Sequence, residues 1–116
     1  MEKIHIKQKD IFLVPFPFSD LSTSKVRPVL VVSSNTFNKQ THDVIICAIS
    51  SMYSMHSIPF TQNDIVQGIL YNESYIKVSS IHKIEKKLLI KKIAVLNTNT
   101  FNIEKKQIIT LLQKIK

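Results

Sequence analysis

Glycine is almost absent from this chain, since Gly68 is the only one among 116 residues. Phosphate-binding loops of the P-loop and Rossmann types need several closely spaced glycines, because the backbone must approach the phosphates. The sequence therefore excludes a nucleotide-binding enzyme of either type. Glycine adopts positive φ more readily than any other residue, so we predict that conformation at Gly68, in a turn over residues 62–68.

Cysteine is equally scarce, and the single one, Cys47, cannot form a disulfide within the chain. This composition is typical of proteins from a reducing cytoplasm. Cys47 lies in an apolar run, so we expect it to be a small buried hydrophobic residue. The spacing of Cys and His does not resemble a metal site, and we expect neither a metal ion nor another cofactor.

Long apolar runs are also missing. None approaches the ~18 residues that a membrane span needs. The N-terminal segment MEKIHIKQKD lacks the apolar core of a signal peptide. We therefore expect a cytoplasmic protein with no membrane association.

Acidic residues are few, and the excess of basic over acidic side chains is confined to one part of the chain. Residues 1–76 carry six basic and six acidic side chains, whereas residues 77–116 carry ten lysines and two glutamates. The net charge of +8 therefore comes entirely from the last 40 residues. Such a surface attracts a polyanion and makes the binding salt-dependent. It is equally typical of a solvated surface that aids solubility, so both interpretations stay open.

The apolar segments are short, and most have the composition of β-strands. We predict strands over residues 11–14, 26–33, 44–49, 58–61, 69–71, 75–79 and 90–96. A polar connection is predicted over residues 34–43, a helical turn over residues 81–89, and a final helix over residues 103–115 with Asn102 as its cap. Because no helix of 10–15 residues separates the strands, the predicted fold is mainly β. It is a small antiparallel barrel with a C-terminal α-helix, in one domain over residues 1–116.

Several apolar side chains have a predicted place in the core. The unbroken apolar run at residues 26–33 indicates burial on both faces of its strand, and Phe12 alternates within the first strand. That strand should stop at Pro15, because proline lacks the N–H that a central strand donates. Phe16 and Phe18 either pack in the core or form a platform for base stacking. The final helix should pack through one apolar stripe, formed by Ile108, Ile109, Leu111, Leu112 and Ile115.

One arginine, Arg27, stands among fifteen lysines. It precedes Pro28 at the mouth of an apolar strand, and its planar, always charged guanidinium suits bidentate binding of a phosphate. The next strand ends in Ser50 and Ser51, whose hydroxyls could reach into a cleft, although a serine pair more commonly marks a strand-terminating turn. We predict that the functional site lies here.

These residues carry a resemblance to a known family. The segment KDIFLVPFPFSDLSTSKVRPVLVVSS, followed by AIS over residues 48–50, is similar to the N-terminal signature of the MazF/PemK toxin ribonucleases. A weaker similarity of SSIHKIEKKLLIKKIAVL to a later segment of that family, together with the final helix, extends the resemblance over nearly the whole chain. The combination of the first loop, the R-P strand and the A-I-S end is specific, whereas each motif alone is weak.

The resemblance implies an SH3-like barrel that forms a homodimer and acts as the toxin of a type II toxin-antitoxin system. Such toxins cleave single-stranded RNA without a metal ion and inhibit translation, and a cognate antitoxin blocks them by covering the RNA groove. The resemblance also implies that Arg27 and Ser50 are catalytic. The implied RNA-binding residues are Phe16, Phe18, Ser22, Lys25, Ser51, Lys77, Ser79 and His82.

The sequence departs from the family pattern at several of these positions. Residues 23–26 replace the glycines that often flank the first loop, and Lys77 and Ser79 replace an Arg-x-Asp pair of a related subgroup, so a carboxylate is missing there. His82 stands where arginine is usual; it could titrate near neutral pH, although a plain surface histidine is more common.

Two other hypotheses about function stay open. One is an inactive relative that binds RNA or protein, and the other is a barrel that serves only as a protein-interaction adaptor.

Overall fold

The computed structural model describes residues 5–16, 25–70 and 72–113. The strands in these ranges are β1 (Asp10–Phe16), β2 (Lys25–Val31), β3 (Asp43–Ser50), β4 (Ser57–Phe60), β5 (Ile65–Gly68), β6 (Ser74–Glu85) and β7 (Lys91–Leu96). They pair antiparallel in one curled sheet with the order β4-β6-β3-β2-β1-β7-β5. The helices are α1 (Asn35–Gln40) and α2 (Thr98–Gln113). The sheet forms a half-barrel, and the predicted mainly β class with a C-terminal helix is confirmed.

Buried side chains line both faces of this sheet. The helix-side core, which includes Phe101 of α2, consists of Ile11, Leu30, Cys47, Ile49, Ile58, Phe60, Ile76, Val78, Ala94, Leu96 and Phe101. The opposite core consists of Phe12, Val14, Val29, Val31, Val44, Ile46, Ile84 and Leu89. Successive residues of the central strands contribute to different cores, because side chains alternate between the faces of a sheet. The predicted burial of Phe12 and Cys47 is confirmed.

Two prolines lie where strand pairing stops on one side. β1 continues through Pro15, so the prediction that it ends there is wrong. The neighbouring β7 pairs with β1 only as far as Leu13, which leaves Pro15 with β2 as its partner strand. Similarly, the pairing of β2 with β3 begins at Val29, one residue after Pro28. A residue without an N–H is tolerated where a second partner strand is missing.

Two connections contain more regular structure than predicted. Residues 34–43 include α1, which begins where the backbone N–H of Phe37 donates to Ser34 Oγ at 3.1 Å. Residues 62–68 are not a single turn, because a 3-10 turn at Gln62–Asp64 leads directly into β5. Gly68 has a φ of +93°, as predicted. The strand predicted over residues 69–71 is absent at its first two residues, and the third lies outside the described residues.

β6 is the longest strand, and it occupies most of a segment that we predicted to be helical. Apolar residues at 81, 84 and 88 have helical spacing, but β6 continues to Glu85 and only Lys86–Leu88 forms a 3-10 turn. Pairing with β3 shifts register between the pairs Cys47–Ile81 and Ile49–Ile76. Residues 81–85 pair one by one with β3, so Ile81 and Ile84 lie on opposite faces of the sheet, and the prediction of a helical turn is wrong for these residues.

α2 begins at Thr98, five residues before the predicted start. Asn97 rather than Asn102 accepts a backbone hydrogen bond at its N-terminus, from the N–H of Thr100 at 2.8 Å. The earlier start brings Phe101 onto the helix-side core. Within the described ranges, α2 included, no helix combines the length and apolarity needed to cross a membrane.

The buried stripe of α2 also differs from the predicted one. It consists of Phe101 and Glu104, which are buried, and of Ile108 and Leu111, which pack partly against the helix-side core. Ile109 and Leu112 are exposed, so their predicted burial is wrong, and Ile115 lies outside the described residues. A carboxyl side chain therefore occupies the middle of the packed stripe.

Candidate functional site

Arg27 and Ser50 lie at the same end of the neighbouring strands β2 and β3. The last pair of β2 with β3 joins Val29 to Ala48, and Arg27 and Ser50 each lie two residues beyond that pair, at the same end of the two strands. The fold thus places at one end of two neighbouring strands the two residues that the resemblance implies to be catalytic.

Both side chains belong to the face that α2 does not cover. Arg27 alternates in phase with Val29, and Ser50 alternates in phase with Ile46, and both of these partners belong to the opposite core. The helix-side core instead receives Ile49, the residue before Ser50. Arg27 and Ser50 therefore lie just beyond the edge of the opposite core, where a ligand can approach without displacing α2.

The first part of β2 is solvated. Lys25, Val26 and Arg27 are exposed, and full burial begins at Val29, so the prediction of burial on both faces is wrong for the start of this strand. Keeping the guanidinium in water avoids the free-energy cost of burying an unpaired charge. It also leaves the five N–H donors of Arg27 accessible to an anion.

The Ser50 hydroxyl has a structural role and a remaining capacity to donate. Its Oγ accepts the backbone N–H of Met52 at 3.1 Å, which closes a turn at the end of β3. This is the strand-terminating role that serine pairs commonly have. A hydroxyl that accepts one hydrogen bond can still donate its own proton, so Ser50 could also bind an anionic oxygen. Ser51 follows in the turn and is exposed.

The loop over residues 51–56, here called the site loop, is held from two sides. Lys77 of β6 donates from Nζ to Ser54 Oγ at 2.6 Å. Ser57 Oγ donates to the backbone carbonyl of Ser54, also at 2.6 Å. These contacts place the Lys77 ammonium beside the loop that follows Ser50. Lys77, an implied RNA-binding residue, therefore joins the site.

Two aromatic residues at the site were missed by the sequence analysis. The rings of Tyr53 and Tyr75 meet edge to face, with centroids 5.9 Å apart and an interplanar angle of 80°. Tyr75 pairs directly with Ser50 across β3 and β6. The available signal was the Met-Tyr-Ser-Met run in a segment that has no acidic residue between Asp43 and Asp64.

Ser79 and His82 lie farther along β6. Ser79 is exposed in the segment where the pairing with β3 shifts register. His82 pairs with Ile46, which is four residues from Ser50, or roughly 13 Å along the strand. Its Nε2 forms a hydrogen bond with Ser80 Oγ at 3.1 Å. The fold does not bring His82 into direct contact with the end of β3 that carries Ser50.

The lysine-rich segment extends beyond this site. Ion pairs join Lys83 to Asp43 (3.9 Å), Lys87 to Glu85 (3.8 Å) and Lys92 to Asp10 (3.7 Å). The first two are solvated pairs, which typically contribute about 0–1 kcal/mol. The positive charge of this segment is therefore partly paired.

Four predicted RNA-binding residues belong to the first loop or to the strand residues that flank it. Phe16 ends β1, where its backbone pairs with that of Lys25. Phe18 and Ser22 lie outside the described residues. Lys25 is exposed two residues before Arg27. The proposed contacts of these four residues with RNA stay predictions.

The ionisable groups whose pKa the fold shifts are buried elsewhere. Burial raises the pKa of Glu104. Its Oε2 accepts from Cys47 Sγ at 3.1 Å, whereas Oε1 has no hydrogen-bond partner among the described residues. Burial, with Glu104 beside it, also raises the pKa of the Cys47 thiol. The pKa of Asp10 is raised by burial, against the opposing effects of the Lys7 backbone N–H and Lys92. Nowhere in the described ranges do three or more His, Cys, Asp or Glu side chains form a group that could hold a metal ion.

A comparison with protein families gives one match. A family profile described as "PemK-like, MazF-like toxin of type II toxin-antitoxin system" matches residues 7–112, which is nearly the whole chain. A search of curated proteins finds no match.

Several solved structures share this fold. An endoribonuclease in complex with its cognate antitoxin, from a mycobacterial species, matches with a TM-score of 0.74 and 18% identity, over 97% of each chain. The Mycobacterium tuberculosis toxin MazF-mt6 matches with a TM-score of 0.72 and 16% identity, over 92% of this chain and 99% of its own. A MazE-MazF structure from Deinococcus radiodurans matches with a TM-score of 0.73 and 13% identity, over 95% and 97%. At these identities, the likeness establishes the fold alone.

Proposed function

The chain belongs to the PemK-like, MazF-like family of toxins of type II toxin-antitoxin systems, and from that premise we propose that it is an endoribonuclease that cleaves single-stranded RNA without a metal ion. The observation that carries the proposal is the placement of Arg27 and Ser50. They lie at the same end of neighbouring strands, on one accessible face, and Lys77 lies beside the loop that follows Ser50. Cleavage of mRNA in the cytoplasm would inhibit translation and growth.

The proposed reaction is an internal transfer at phosphorus. The ribose 2′-oxygen loses its proton and attacks the adjacent phosphorus, which forms a new P–O bond. The bond to the 5′-oxygen then breaks, and that oxygen gains a proton. The products are a 2′,3′-cyclic phosphate and a 5′-hydroxyl, so water is not consumed in this step.

Arg27 and Ser50 have distinct proposed roles in this step. Negative charge builds on the non-bridging oxygens as the phosphorane forms, and the guanidinium of Arg27 would bind two of those oxygens and stabilise the charge. The hydroxyl of Ser50 would donate a hydrogen bond to a non-bridging oxygen, while Oγ continues to accept one from the backbone N–H of Met52. In a site without a metal ion, such donors supply the electrostatic stabilisation, and the loss of one typically costs about 3–4 kcal/mol of barrier.

The proposed RNA path runs from the start of β2 across the end of β3 to the start of β6. Lys25 and Lys77 supply phosphate contacts there, and the exposed Ser51 follows Ser50 in the turn. Ser79 and His82 would contact nucleotides farther along β6. Phe16, Phe18 and Ser22 of the first loop keep their proposed role in RNA binding.

Two protein partners are part of the proposal. One similar structure is described as an endoribonuclease with its cognate antitoxin and another as a MazE-MazF complex. By analogy, a cognate antitoxin would cover the face that carries Arg27, and a second copy of this chain would complete a homodimer. Sedimentation equilibrium of the purified toxin tests the dimer, with a mass of twice 13.3 kDa expected.

The decisive experiment is cleavage of a long single-stranded RNA in excess EDTA. The wild type should cut at discrete positions, and Arg27→Ala should not. Lys39→Ala removes an exposed positive charge on α1 and should cut normally. A wild type that binds RNA without cutting it would refute the ribonuclease proposal.

A second candidate function rests on a specific departure. Lys77 and Ser79 occupy the positions where a related subgroup has an arginine and an aspartate, so the site lacks a carboxylate for proton transfer. A catalytically weak or inactive relative that binds RNA or protein is the corresponding alternative. In that case Arg27→Ala would leave the growth of an expressing cell unchanged, whereas an active toxin should lose its toxicity.

A further inference from the structure

The site loop presents an unusually apolar surface to solvent. Met52, Tyr53 and Met55 are 73%, 72% and 75% exposed, and they occupy three of four consecutive positions. Clustered exposed side chains of this size commonly mark a binding surface. The cluster begins two residues after Ser50, so it is continuous with the proposed catalytic site.

The Tyr53 ring is held rather than loosely exposed. Its edge-to-face contact with Tyr75 fixes one side of the ring, and Tyr75 itself is anchored opposite Ser50 in the sheet. Ser54, the next residue, is tied to Lys77 and Ser57 by hydrogen bonds of 2.6 Å. A ring that is already ordered loses little conformational entropy on binding, which favours affinity.

The surrounding charge indicates which ligand the ring would meet. Lys77 lies beside the loop, Arg27 and Lys25 lie across β3 from it, and the chain has no acidic residue from 44 to 63. Cationic groups next to an exposed aromatic ring are the combination that binds single-stranded nucleic acid, through phosphates and stacked bases.

We propose that Tyr53, supported by Tyr75, stacks on an RNA base close to the scissile phosphate and so contributes to affinity and cleavage-site choice. This inference rests on the proposed ribonuclease function and names a recognition residue for it. The ring supplies a π face, whereas Lys77 supplies charge. The two contributions can therefore be separated by their dependence on salt.

The test compares Tyr53→Ala, Tyr53→Phe and Lys77→Ala. Affinity is measured by fluorescence anisotropy with a labelled single-stranded oligonucleotide of mixed sequence whose riboses are 2′-O-methylated, so that it cannot be cleaved. Tyr53→Ala should weaken binding about 5- to 150-fold, which corresponds to the loss of one stacked base. Tyr53→Phe keeps the ring and should bind within about twofold of the wild type. Val66→Ala, an exposed apolar position on the other edge strand, is the matched control and should bind normally.

Salt dependence and site mapping complete the test. The slope of log Kd against log salt should be unchanged in Tyr53→Ala but smaller by roughly 0.7 in Lys77→Ala. The positions cut in a long RNA should shift in Tyr53→Ala. Wild-type affinity in Tyr53→Ala, or equal losses in Tyr53→Phe and Tyr53→Ala, would overturn the inference. Normal RNA affinity together with lost self-association would assign the loop to a contact between two copies instead.

Failure of this inference can be told from failure of the proposed function. A wild type that cuts RNA in EDTA, with Tyr53→Ala cutting the same positions at the same affinity, leaves the ribonuclease proposal intact and removes Tyr53 from it. A wild type that neither cuts nor binds RNA refutes both.

Discussion

Replacing Glu104 with methionine should stabilise this protein. Glu104 is fully buried against the helix-side core, and within the part of the chain that the structure describes its Oε1 atom lacks a hydrogen-bond partner. An unsatisfied buried polar group typically costs about 1–3 kcal/mol. Methionine has a similar volume and no polar oxygen, so Glu104→Met removes that cost. The Cys47 thiol loses its acceptor, but a thiol is a weak donor, and the loss should be small.

The gain should grow with pH. Because burial raises the pKa of Glu104, the folded state holds the proton more tightly than the unfolded chain does. Its contribution to stability is fully present below the unfolded pKa, near 4.5, and is lost as the pH rises through the folded pKa. The wild type should therefore lose up to about 1.4 kcal/mol per pH unit from this group within that window. Asp10 also has a raised pKa, but it is present in both proteins and cancels in the difference.

Urea unfolding followed by far-UV circular dichroism suits a chain that has no tryptophan. At neutral pH, Glu104→Met should raise the free energy of unfolding by about 1–3 kcal/mol, and the melting temperature by roughly 4–6 °C for each kcal/mol. Glu85→Met makes the same chemical change on the exposed end of β6 and should stay within about 0.5 kcal/mol. If Glu104→Met is less stable than the wild type, or if the difference is the same at pH 5 and pH 8, the reasoning is refuted.

Two further substitutions test the fold and the site. Gly68→Ala should lower the free energy of unfolding in urea by more than about 2 kcal/mol, because φ is +93° and the added methyl would lie 2.2 Å from the Ile93 carbonyl oxygen. Gln67→Ala is the matched control. Equal free energies of unfolding for the two variants would contradict this prediction. Ser50→Ala should lower the rate of RNA cleavage by about 10²–10³-fold while the fold stays intact. Ser50→Thr, which keeps a hydroxyl, should cleave normally, and equal rates for the alanine variant and the wild type would exclude Ser50 from the reaction.

A strand was predictable where its apolar pattern fits only a β-strand. β3 has the predicted core of residues 44–49 because its β-branched, unbroken apolar run has no competing interpretation. β6 was not predictable over residues 81–85, because its extended backbone there depends on pairing with β3, which is distant in the sequence. Local spacing then resembles a helix although the backbone groups are satisfied by the sheet.

The packing of α2 was mispredicted for a physical reason. A sequence pattern assigns glutamate to the solvent side of a helix, because burying a carboxylate is costly. Here Phe101 anchors the helix, and Glu104, one turn later, follows it into the core. Burial raises the pKa of Glu104, because the core disfavours the charged carboxylate. Nothing in the local sequence indicates that Cys47 of β3 will be its partner.

The sequence indicates the proposed catalytic pair of the candidate site but not its aromatic residues. Arg27 and Ser50 are marked by their motifs, and the pairing of β2 with β3 places them at the same end of neighbouring strands. Tyr53 and Tyr75 belong to segments 22 residues apart, and only the pairing of β6 with β3 makes them neighbours. Exposure of the start of β2 also depends on where pairing with β3 stops.

The most direct test of the central claim is the single-turnover rate of cleavage of one defined RNA in EDTA by the wild type, Arg27→Ala and Arg27→Lys. Arg27→Ala should be slower by at least about 10²–10³-fold, because a guanidinium that stabilises the phosphorane has been removed. Arg27→Lys keeps the charge without the planar fork and should lie between them. Analysis of the wild-type products should find 2′,3′-cyclic phosphate and 5′-hydroxyl ends. Equal rates for all three proteins, or products with 5′-phosphate ends, would contradict the account.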